Sequence, residues 1–104
     1  MSNPTPILFS VKIGGMNFTV TRDNIAEYGQ MLFDDRKIVI SSAIEDSEEY
    51  AATLRHEMLH AALHIAGISY LKKYEEEPIV RAIENIFFPA WDLLQNKTIN
   101  IETV

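Results

Sequence analysis

All three histidines of this 104-residue chain fall within thirteen residues, RHEMLHAALHIAG, at positions 55–67. His56, His60 and His64 are spaced four apart, so on an α-helix they line one side, drifting by about 40° per step. Glu57 sits about 100° round from His56 and close in angle to His64, which makes one polar stripe. The rest of the segment is apolar: Leu54, Met58, Leu59, Ala61, Ala62, Leu63, Ile65 and Ala66. Imidazoles in such surroundings need partners, because a buried polar group left unpaired costs about 1–3 kcal/mol. A metal ion meets that need. In His-Glu-x-x-His, two histidines one turn apart aim their ring nitrogens at one zinc. The glutamate between them acts as general base on a zinc-bound water whose pKa the ion lowers to about 7. Here His56 and His60 would be the ligands and Glu57 the base.

A catalytic zinc takes three protein ligands and a water. The chain has no cysteine and no fourth histidine, so the third ligand should be a carboxylate. His64 would strain the geometry as a third ligand from the same helix, so it is expected behind the ligands or lining a pocket. A second helical stretch, YEEEPIVRAIENIFFPA, offers the carboxylate. Its spacing places Ile79, Val80, Ile83, Ile86 and Phe87 on one face, with Glu76 near the middle and Glu77 and Glu84 together at the edge. Periodicity therefore permits Glu76, Glu77 or Glu84. The bland alternative is that Glu75, Glu76 and Glu77 form a solvated acidic first turn favoured by the helix dipole. Turnover also needs a group to steady the oxyanion. Tyr70 and Tyr74, between the two helices, are candidates by position, followed by Tyr28 and Arg55.

The elements that must position these residues follow from pattern. Residues 1–6, MSNPTP, form a loose lead-in. Residues 7–41 carry about four strands. ILFSVKI and MNFTVTR flank Gly14-Gly15 as a hairpin, DNIAEYGQ connects, MLFD makes a third strand and KIVIS a fourth. The period then changes. Residues 44–67 form the motif helix, capped by Asp46 or Ser47, with Glu48 and Glu49 in its first turn and Gly67 as its stop. A second helix runs over residues 76–95, with Pro78 in its first turn and Pro89 ending or kinking it. Strands followed by helices imply an α+β fold: a small antiparallel sheet carrying two helices in a single domain, 1–104.

A formal net charge of -6 gives no overall pull towards phosphate backbones, so a nucleic-acid partner is not expected. No apolar run approaches the roughly 20 residues of a membrane span, and the N-terminus lacks a secretory pattern. A soluble, cytoplasmic protein is expected, in keeping with the absence of cysteine.

The motif helix, its Gly-ended turn and a second helix with an inward glutamate resemble the gluzincin-type zinc metallopeptidases. The small sheet leading into the helix is similar to the compact ImmA/IrrE-type domain and to minimal metallopeptidases of bacteriophages and mobile elements. RHEMLHAALHIAG followed by EEEPIVRAIEN carries the likeness, which spans residues 7–90. It implies one zinc per chain held by His56, His60 and Glu77, the glutamate three residues before Val80, with Glu57 as base. It also implies a peptide or protein substrate, and the host cytoplasm if the chain is phage-encoded. One departure is that Pro78-Ile79 follow the glutamate where that family has small residues. In so short a chain the cleft is shallow, or a dimer mate or partner protein completes it. Two other readings compete. One is a catalytically inactive, zinc-stabilised binding protein, for which an intact Glu57 serves no purpose. The other is a metal-free interaction module using residues 87–91, FFPAW.

Overall fold

Two adjacent glycines turn the chain back on itself. β1 (Ile7–Ile13) and β2 (Met16–Asp23) pair antiparallel, with Ile13 opposite Met16. Gly14 (φ 56°) and Gly15 (φ 82°) both take the positive φ that a two-residue primed turn requires. β3 (Gly29–Leu32) and β4 (Lys37–Ser41) make a second antiparallel pair. The two pairs join through a parallel seam between β2 and β4, from Thr19 opposite Lys37 to Asp23 opposite Ser41. The sheet order is β1-β2-β4-β3. The sheet is therefore mixed rather than wholly antiparallel. The link over residues 24–28 makes the seam possible by carrying the chain past the end of β4. There the Ser41 N–H donates to the Tyr28 carbonyl and the Ser42 N–H to the Asp23 carbonyl, both at 2.8 Å. β3 begins at Gly29, two residues before the expected strand. Glycine and glutamine are weak strand formers, and pairing with β4 overrides that preference.

The computed structural model describes residues 7–68 and 72–95. The chain divides into two compact units, Met1–Tyr70 and Leu71–Val104. In the first, strand alternation sends Phe18 and Val20 of β2 and Ile38 and Ile40 of β4 into one core with Ile44 and Ala61. α1 (Ser47–Leu63) packs on β3 and β4. Asp46 caps α1, its Oδ2 accepting the Glu49 N–H at 2.9 Å. Ile44, expected inside the helix, is instead a buried residue before it. Arg22 secures this entry. Its Nη2 donates to the carbonyls of Ser41 (3.2 Å) and Ile44, and its guanidinium lies 5.4 Å from the Tyr50 ring centre. α1 ends in a wide turn, His64–Ile68, where Gly67 takes φ 85°.

The second unit contains α2 (Lys73–Ala82), a wide turn (Ile83–Phe87) and α3 (Phe88–Gln95). α2 starts three residues earlier than expected, so Pro78 lies inside it rather than in its first turn. Pro89 does not end the helix. The Phe88 N–H reaches back five residues to the Ile83 carbonyl, and this widened turn accommodates the missing N–H and bulky ring of Pro89. The architecture is α+β, a four-strand sheet followed by helices.

Candidate metal centre

Capping by Asp46 sets the phase of α1, and Ala61 sits in the sheet core. That phase leaves His60 and Glu57 almost wholly buried, at 7% and 8% exposure, with His56 half-buried. The two histidines are one turn apart, and their Nε2 atoms stand 3.3 Å from each other. The rings meet edge to face, with centres 5.0 Å apart and planes at 64°. A direct N–H···N hydrogen bond would be long at that separation, since N–H donors favour 2.7–3.2 Å. The separation also matches two nitrogens that share a metal. Two nitrogens at 2.0–2.1 Å from a tetrahedral zinc lie about 3.3–3.4 Å apart.

His56 and His60 belong to the first unit and Glu77 to the second; each carries a ligand atom of a type that zinc takes, two imidazole nitrogens and a carboxylate oxygen. Glu77 is also paired along its own helix with Arg81, Oε2 to Nε at 3.9 Å. That pair is largely solvent-facing on the arginine side and adds orientation rather than much stability. Within the second unit, Glu76 is buried at 4% exposure and Glu84 is half-buried in the wide turn. Among the described side chains of α2 and the turn after it, the least exposed are Glu76, Glu77, Val80, Ile83 and Glu84. Ile79, Ile86 and Phe87, expected on the inward face, are exposed. The widened turn at Ile83–Phe87 changes the phase of Ile86 and Phe87 relative to a regular helix; it lies after Ile79 and does not account for that residue's exposure.

His64 has other partners. Its ring stacks on Phe33, centres 4.9 Å apart, and its Nδ1 lies 3.4 Å from the His60 carbonyl oxygen. With Met31, Leu32, Phe33, Asp34 and Asp35 it lines an open cleft of about 400 Å³. Tyr28 is 72% exposed and Arg55 is exposed. Tyr70 and the side chain of Tyr74 lie outside the described residues. Sequence reasoning missed Gly29, which faces Glu57: a Cβ placed on it would fall 3.0 Å from Glu57 Cγ. The signal was present, because a glycine opening a strand often marks a close approach by another group.

Among the described residues, no helix is long and apolar enough to cross a membrane. Neither a family model, nor a curated protein sequence, nor a solved structure matches the chain.

Proposed function

We propose that this chain is a small zinc-dependent metallopeptidase acting on peptide or protein substrates, with Glu57 as general base. The observation that carries this reading is the 3.3 Å separation of the His56 and His60 ring nitrogens beside a buried Glu57. His56 and His60 would hold the ion, with Glu77 as the carboxylate that the likeness to gluzincin-type metallopeptidases implies, and a His/His/carboxylate donor set suits zinc. When bound, zinc supplies Lewis acidity and an acidified water. Glu57 would serve as the base, holding a proton on its carboxylate and passing it to the leaving amine. Its burial keeps bulk water away from that transfer.

A peptide substrate is favoured by where Glu57 lies. α1 packs on β3, which ends the sheet order, and Gly29 at the head of β3 meets Glu57. The outer edge of β3 pairs with no strand among the described residues. Its backbone N–H and C=O groups there suit an extended peptide laid alongside. The cytoplasm is the compartment this reading assigns, in keeping with a chain that has no cysteine.

The test compares wild type with Glu57→Gln for zinc content and for cleavage of a mixture of internally quenched peptides. The expected result is about one zinc in both proteins and at least a hundredfold loss of cleavage in the variant, the scale of general-base catalysis. Equal cleavage by the two, or no zinc in the wild type, would overturn the proposal. Zinc in both with cleavage in neither would instead favour a metal-stabilised binding protein.

A further inference from the structure

β3 opens with a glycine that its backbone does not require. Gly29 pairs with Ile40 of β4 and is not among the residues with positive φ. What it lacks is room for a side chain. A Cβ at this position would lie 2.9 Å from Thr53 Cγ2, 3.0 Å from Glu57 Cγ and 3.1 Å from Glu57 Oε2. Thr53 and Glu57 are one helical turn apart, so both belong to the ridge of α1 that lies over the strand. Neither backbone yields easily, because β3 is paired to β4 and α1 is packed on both strands. A methyl group at 29 must therefore be accommodated by the Thr53 and Glu57 side chains, and Glu57 is almost wholly buried.

We infer that Gly29 is a positioning residue for Glu57: its missing Cβ leaves the slot in which the Glu57 carboxylate is held. This rests on the proposed role of Glu57 as base and adds a residue with no side chain of its own, acting through Glu57. Restoring ordinary van der Waals distance needs a displacement of about 0.5 Å at the carboxylate. That is at the limit of about 0.5 Å within which catalytic groups must be held, and a 1 Å misplacement can cost about a hundredfold in rate. Thr53 offers a control. Thr53→Ser removes Cγ2, the closest of the three contacts, and leaves both Glu57 contacts in place.

The experiment uses the full chain as wild type, Gly29→Ala, Thr53→Ser, Gly29→Ala/Thr53→Ser and Glu57→Gln. Each is measured for zinc content, thermal midpoint, the visible absorption band of the cobalt-substituted protein, and kcat and KM on the quenched peptides. Gly29→Ala is expected to keep its metal and lose roughly 10- to 100-fold in kcat with KM nearly unchanged. Its cobalt band should move in the same direction as that of Glu57→Gln. The double variant should regain the thermal midpoint and leave kcat and the cobalt band perturbed. Recovery of kcat together with the midpoint would overturn the inference and make Gly29 a packing residue only. So would a wild-type cobalt band in a folded Gly29→Ala. Failure of the wild type to bind cobalt or zinc, or a Glu57→Gln variant as active as wild type, removes the peptidase reading and this one with it. If Gly29→Ala does not fold, the double variant decides by the same readouts.

Discussion

Replacing His60 by alanine should abolish stabilisation by zinc, and the size of the effect can be estimated in advance. A ligand that binds only the folded state at a hundred times its Kd adds about 2.7 kcal/mol. For a domain near this size, about 4–8 °C of thermal midpoint corresponds to 1 kcal/mol, so zinc should raise the midpoint by about 10–20 °C. His60→Ala removes one of the two nitrogens that stand 3.3 Å apart, so the ion loses the geometry that fits it. The increment should fall to about 2 °C or less, within the error of a dilute-metal titration. His60 is also buried, so its truncation lowers the metal-free midpoint through lost packing, by about 1–2 kcal/mol. The quantity to compare is therefore the zinc increment at matched free metal, not the midpoint itself. Differential scanning fluorimetry, first in chelator and then in buffered zinc, measures it. A His60→Ala protein that kept a 10 °C increment would refute the argument, because the ion would then be held elsewhere. A wild type with no increment would refute it equally.

Other expectations are more local. Asp46→Ala removes the acceptor for the Glu49 N–H and should cost about 1 kcal/mol in urea unfolding, with the m-value unchanged. Gly14→Ala should be more damaging than Gly15→Ala. Both positions have positive φ, but a Cβ at 14 would lie 2.9 Å from Ile65 Cγ2, while nothing lies within 4 Å at 15. The first should cost roughly 2 kcal/mol or more and the second about 1, again by urea unfolding.

The legible parts of the chain were those in which local pattern and tertiary demand agree. The Gly14-Gly15 hairpin, the KIVIS strand and the Gly67 stop all rest on short-range chemistry, and the structure places them as expected. The pairing of β2 with β4 was not legible, because nothing in Thr19–Asp23 or Lys37–Ser41 states a direction. Both strands read equally well as parallel or antiparallel until the 24–28 link is traced. β3 was misplaced because Gly29 and Gln30 have poor strand propensity, and their pairing partner lies in β4 rather than in the local sequence. In the second unit, Pro89 was expected to end or kink the helix, and the five-residue bond from Phe88 to Ile83 absorbs it. At the candidate site, the spacing of His56, Glu57 and His60 is local and could be read directly. Choosing among Glu76, Glu77 and Glu84 depends on how a separate helix packs, which periodicity within that helix does not state.

The sheet is two short hairpins, β1-β2 and β3-β4, stitched by one parallel seam. This has a consequence for folding order. Each hairpin closes a loop of a few residues and can form within about 1–10 μs. The seam brings together residues about eighteen apart in the chain and buries Val20, Ile38 and Ile40 in a single step. The entropic barrier should therefore lie at the seam, with both turns already made. Truncating Ile38 or Ile40 should slow folding, whereas loosening α1 at its cap should mainly speed unfolding. Glu57 meets Gly29 only once α1 docks on β3, so the packing around this carboxylate forms after the strands that support it.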